Sequence, residues 1–264
     1  MINKKKSDIL SKKGGEKMKV LSIGNSFSVD AHEYLHDLAK MSGEEIELVN
    51  LAIGGCSLQR HVENIENNKS SYLYLVNGKG SWDDDKLVSV DKIIKSDTFD
   101  VVTLQQVSHF SGKYETYQPY LNSLIDYVKI HQPSAKLYFH KTWAYEIDST
   151  HSEFPIYDCD QKKMYNSICK VSEMVCKETG LTPILAGDVI QALRTRLKEF
   201  DYKNGGESLC LDGFHMSHTY GRYAVAMTWL ATLTNKKVEP QKFKELDLNI
   251  CTKICKIVNE IVLK

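Results

Sequence analysis

From Met18 onward, short apolar runs alternate with longer segments of helical period. "KVLSIG" (19–24) reads as a buried strand, and Asp30 to Met41 follows with the apolar spacing of an amphipathic helix. The same alternation predicts strands at 45–55, 99–106, 135–143 and 181–187, and helices at 58–67, 117–131, 160–179, 188–199, 218–234 and about 240–262. Pro133 and Gly180 stop two of these helices. One segment breaks the rhythm. "SYLYLVNGKGSW" (71–82) alternates and carries Asn77-Gly78, the pair a two-residue hairpin turn favours, so 71–86 reads as an inserted hairpin.

Strands separated by helices predict one α/β domain over 18–264, with a five-stranded parallel sheet between two helical layers. Such sheets bind ligands beyond the carboxyl ends of their strands, near the point where strand order reverses. Functional residues are therefore expected immediately after strands.

Composition narrows the classes. The chain has 264 residues, 42% of them hydrophobic, enough to bury a large core. Lys plus Arg and Asp plus Glu are both 34, so the net charge is zero and nothing attracts nucleic acid or an anionic membrane surface. No apolar run reaches the length of a membrane span, and no apolar stretch follows the N-terminal lysines, so a cytoplasmic protein is expected. The seven cysteines (56, 159, 169, 176, 210, 251 and 255) are odd in number and lack Cys-x-x-Cys spacing, which predicts reduced, mostly packed thiols. The first seventeen residues are basic and poor in apolar side chains, as a disordered tail is. Within them "GGEKM" can be encoded by a purine-rich stretch like a ribosome-binding site, which makes Met18 the expected start.

Candidate chemistry lies at the strand ends. The first offers Ser26, the second the backbone N–H groups of Gly54-Gly55, and the third the amides of Gln105 and Gln106. A serine acyl hydrolase needs such a set: a nucleophile, with donors aimed where a carbonyl oxygen becomes an oxyanion. It also needs a base and a group to hold the base's tautomer. "LCLDGFHMSHTYGRY" places Asp212 and His215 three apart before a helix, a spacing that lets the carboxylate hold one imidazole nitrogen and leaves the other for Ser26.

In "SIGNSFS", the Gly54-Gly55 turn and "DGFH", taken in that order, the chain resembles the SGNH or GDSL-type serine hydrolases, which have a flavodoxin-like three-layer fold. With "VVTLQQVS" and "HKTWAY" it is most similar to a bacterial, acetylesterase-like branch of poorly defined function. The resemblance covers Met18 to about Leu233 and implies a triad of Ser26, Asp212 and His215. It implies an oxyanion hole made by the N–H groups of Ser26 and Gly55 (alternate Gly54) with the amide of Gln105 (alternate Gln106). It also implies short acyl esters as substrates, such as O-acetyl groups on carbohydrates, with no metal or organic cofactor. Two positions depart from the family pattern: Asn25 replaces the usual aspartate beside the serine and has no assigned role, and Gln105-Gln106 replace the Gly-x-Asn-Asp block.

Other readings stand beside these. Ser26 could cap the following helix, although Ser28 or Asp30 can also do so. Trp143 and Tyr145 could wall a sugar or acyl group or simply pack in the core, and Tyr72, Tyr74 and Trp82 could form a lid or an oligomer contact. His32 and His36 fit a helix surface better than a metal site, and His218 is secondary to His215. The Gly-x-Ser-x-Gly elbow and the Walker and dinucleotide fingerprints are absent. An acyltransferase would use the same triad, and a flavodoxin-like binding module would keep the pocket without turnover.

Overall fold

The computed structural model describes residues 17–80 and 86–264. Residues 1–16 of the expected tail 1–17, with the first three residues of GGEKM, and Trp82 lie outside the described residues.

Strand β1 (Met18–Gly24) is followed by α1 (Ser26–Met41), and β2 (Ile46–Ala52) by α2 (Leu58–Glu66). Then come β3 (Leu73–Val76), the short α3 (Val90–Ile94), β4 (Val101–Leu104), α4 (Tyr120–His131), β5 (Lys136–His140) and α5 (Gln161–Thr179). The chain closes with β6 (Thr182–Ile184), α6 (Ala186–Arg196), α7 (Tyr220–Thr234) and α8 (Leu248–Val262).

The sheet has six strands in the order β3-β2-β1-β4-β5-β6, one more than expected. All pairs are parallel except β2–β3. The extra strand comes from the segment read as an inserted hairpin. Its Asn77-Gly78 turn forms, with φ of 53° and 72° and a Val76–Lys79 bridge, but Leu73–Val76 pairs along β2 as an antiparallel edge. Leu73 and Leu75 point inward and Tyr74 outward, the alternation of a strand with one dry face. Tyr72 is fully buried and bonded through its hydroxyl to His61 Nδ1, so it is no lid.

Two apolar clusters cover the sheet. One packs α1, α6, α7 and α8 on one face, and the other packs α2, α3 and α4 on the opposite face. Met164 and Ile168 of α5 join the first cluster and Val171 and Val175 the second. α7 is buried on almost every side, because α1 and α8 both pack against it.

Sequence periodicity placed two helix starts wrongly. α1 begins at Ser26, four residues early, because Asn25 caps it. α8 begins only at Leu248, because Asp247 accepts from the N–H groups of Asn249 and Ile250 and starts the helix there. His32 is also not on a helix surface. It is buried, bonded through Nε2 to Ser22 Oγ at 2.8 Å, and Ser22 bonds in turn to Thr103 Oγ1 at 2.7 Å. Burial pushes the His32 imidazole down to about 3, so it is neutral. The cysteines are free thiols, with 56, 210, 251 and 255 buried. Among the described residues no helix is long and apolar enough to cross a membrane, and no cluster of His, Cys, Asp and Glu could hold a metal ion.

Candidate active site

β1 lies between β2 and β4 while the chain runs from β1 to β2, so strand order reverses at the carboxyl end of β1. Gly24 ends that strand against a tight neighbour: a Cβ there would sit 2.4 Å from Ser28 Oγ and 3.2 Å from Gln105 Oε1. Asn25 then turns the chain. Its Oδ1 accepts from Phe27 N–H at 3.1 Å and its Nδ2 donates to the Cys56 carbonyl at 3.1 Å. One side chain thus starts α1 and ties the loop after β2 to the nucleophile turn, which supplies the role that sequence left open. The cap frees Ser26. Among the described residues neither its hydroxyl nor its N–H has a partner, and the hydroxyl is partly exposed. Replacing Asn25 with alanine removes the cap and leaves the Cys56 carbonyl unpaired, for an expected loss of about 2 kcal/mol in urea denaturation.

The loop after β2 brings Gly54 and Gly55 to the same place. Gly55 has φ of +62°, a conformation that disfavours side chains, and its N–H is unpaired among the described residues.

Asp212 and His215 come from the turn before α7. His215 Nδ1 and Asp212 Oδ2 are 2.7 Å apart, and Asp212 Oδ1 accepts the N–H groups of His215 at 2.8 Å and Phe214 at 3.1 Å. Partial burial opposes ionisation of Asp212, but these hydrogen bonds outweigh it and hold the carboxyl below its ordinary value. An ionised carboxylate can only accept, so the Nδ1 proton points at it and Nε2 is left as an acceptor.

The turn is clamped from below by a buried ion pair. Asp30 of α1 meets Arg222 of α7 at 2.8 Å, Asp30 Oδ2 accepts Met216 N–H at 2.7 Å, and Arg222 Nε donates to the Met216 carbonyl at 3.1 Å. The N–H and the carbonyl of Met216, the residue after His215, are thereby both fixed. Sequence reading assigned Asp30 only a possible cap and gave Arg222 no role. A carboxylate inside an apolar helix stripe was the signal available for the first.

Ser26, Gly54, Gly55 and His215 line one cleft of about 330 Å³, with Asn25, Phe27, Val107, Ser108, His109, His151 and Phe214. His215 stands edge-on to Phe27, with ring centroids 6.0 Å apart. His218 turns away toward Glu33 and Arg222.

Four candidate contacts are not among the residues that line the cleft. Gln105 is buried behind it, where Nε2 donates to Asn25 Oδ1 at 2.6 Å and Oε1 meets His140 Nδ1 at 3.0 Å. Gln106 accepts from Leu58 and Val107 N–H and donates to Thr116. Both amides are thus engaged in bracing the loops. Trp143 and Tyr145 are fully buried. Trp143 stacks on Phe27 at 4.2 Å and donates Nε1–H to the Phe214 carbonyl at 2.7 Å, so it bridges the turns that carry Ser26 and His215. Tyr145 bonds to Ser108 Oγ at 2.8 Å. Sequence reading overlooked His109 and His151, which sit in no recognisable block, and gave no role to Phe214, which lies inside the DGFH block.

A profile of the domain of unknown function DUF4886 matches residues 19–260. A DUF4886 protein of known structure from Bacteroides uniformis is 33% identical, with a TM-score of 0.85 over 94% of this chain and 95% of its own. A protein described as a putative SGNH hydrolase from Slackia heliotrinireducens is 18% identical, with a TM-score of 0.56 over 83% of this chain and 100% of its own. An acetyl xylan esterase is 14% identical, with a TM-score of 0.54 over 81% of this chain and 99% of its own. No curated protein matches. The fold is that of the SGNH hydrolases, and the chain belongs to the DUF4886 family.

Proposed function

We propose that the protein is a serine esterase acting on short acyl esters. The observation that carries this reading is the 2.7 Å Asp212–His215 bond, which turns Nε2 away from Asp212 on a residue lining the same cleft as Ser26, whose hydroxyl has no partner among the described residues. Ser26 Oγ attacks the ester carbonyl and passes its proton to His215 Nε2, while Asp212 stabilises the imidazolium. The oxyanion meets the N–H groups of Ser26 and Gly55, both unpaired among the described residues. Gln105, the expected third donor, acts in this reading as a brace on Asn25. His215 returns the proton to the departing alcohol, and water, activated by the same imidazole, releases the acid and regenerates Ser26.

The cleft volume of about 330 Å³ suits a short acyl chain. Structural neighbours that are acetyl xylan and acetyl-xylooligosaccharide esterases support acetyl groups on carbohydrate as the substrate class. A fluorophosphonate probe tests the reading. It is expected to add once, at Ser26 by peptide mapping, and to add nothing to S26A; equal labelling of both proteins overturns the reading. An added alcohol that diverts the acetyl group from water would identify a transferase.

A further inference from the structure

We infer that His151 and His109 form the subsite for the leaving alcohol, and that this alcohol is an uncharged, hydroxyl-rich group such as a sugar. The inference rests on the esterase reading and adds which side of the cleft holds the alcohol and what recognises it.

The side follows from proton delivery. His215 must hand its proton to the leaving oxygen, so the alcohol lies against His215, while the carbonyl oxygen points to the N–H groups of Ser26 and Gly55. His151 is on the His215 side: its ring lies 4.8 Å from that of Phe214, which lies 4.2 Å from His215. His109 faces His151 with ring centroids 6.0 Å apart.

The recognition follows from hydrogen-bonding capacity. His151 Nδ1 accepts Glu153 N–H at 3.1 Å, so the proton of the neutral ring is on Nε2, which has no partner among the described residues. The ring nitrogens of His109 also have none. Tyr145 at 4.6 Å and Phe214 hold the His151 ring in place. Burial lowers both imidazoles below their ordinary value, so at neutral pH they offer donors and acceptors without charge. Among the described residues that line the cleft none is Asp, Glu, Lys or Arg, and Glu153 and Asp212 act on the two imidazoles only from behind the lining, so a charged alcohol would be desolvated with no counter-ion in direct contact. Hydroxyl groups, which donate and accept, match this set.

The test compares two acetyl esters that differ only in the alcohol, a mono-O-acetylated xylobiose and p-nitrophenyl acetate. For H151A, the ratio of kcat/KM for the sugar ester to that for p-nitrophenyl acetate is expected to fall about 10-fold, mostly through KM, as loss of a well-made hydrogen bond predicts. His151→Gln, which keeps an N–H donor, is expected to restore part of that ratio. An unchanged ratio in H151A, with both rates lowered equally or neither lowered, overturns the subsite while the esterase reading stands. A wild type inert toward both esters overturns the esterase reading and the subsite with it. Thermal melting and fluorophosphonate labelling of H151A separate a folding defect from lost recognition.

Discussion

Replacing His215 with alanine is expected to lower kcat for p-nitrophenyl acetate by about 10⁴-fold or more, and Ser26→Ala by a similar factor, because a nucleophile and its base act as one unit. The double variant is then expected to be no worse than either single one. Asp212→Asn separates geometry from chemistry. Asparagine can still accept the His215 and Phe214 N–H groups, so the turn should survive and thermal melting should stay near that of the wild type. Its amide would instead present a donor to Nδ1 and drive the imidazole proton to Nε2, the tautomer that cannot take a proton from serine. A loss of about 10⁴-fold with an intact fold is the expected result. Wild-type rates in His215→Ala and Ser26→Ala would end the esterase reading. The hydrogen bonds to Asp212 also bear on pH. They hold its carboxyl below the ordinary value, so their contribution to stability is present above about pH 4 and is lost as pH falls through the folded value.

The second large effect concerns the clamp beneath the site. Arg222→Met removes the counter-ion of a carboxylate that is 2% exposed, and breaking such a pair from one side costs about 3–5 kcal/mol. The cost should depend on pH. Burial pushes Asp30 from 3.8 up to about 6, against the opposing pull of Arg222, so the native carboxyl holds its proton more tightly than the unfolded one. The contribution of this group to stability is therefore fully present below about pH 4 and declines as pH rises through 6. Near pH 5 the carboxyl is already mostly protonated, and without Arg222 it rises further, so the variant carries little buried charge there. Urea denaturation of Arg222→Met is expected to show the full loss at pH 8 and a clearly smaller one at pH 5. Equal losses at both values would mean that the deficit comes from packing. Arg222 also pairs with Glu33, which is 26% exposed and can regain water when its partner is lost.

The sequence by itself determined the alternation of strands and helices from Met18 onward, because buried runs and helical stripes are local patterns that burial imposes on any chain of this class. It also singled out Ser26, Gly55, Asp212 and His215, because each sits at a strand end or within a short turn whose residue types already limit what it can do. The edge strand 73–76 was legible as a strand but not as part of the sheet, since its pairing partner β2 lies more than twenty residues upstream. Only the tertiary structure decided what Asn25, Gln105 and Trp143 do. Asn25 reaches Cys56, Gln105 reaches Asn25 from the next strand, and Trp143 joins Phe27 to Phe214. Likewise, Asp30 meets Met216 and Arg222 only because α1 packs on α7, and His109 and His151 enter the cleft from separate loops. Local periodicity encodes which face of an element is dry, whereas a hydrogen bond between residues far apart in sequence exists only once packing has brought them within about 3 Å.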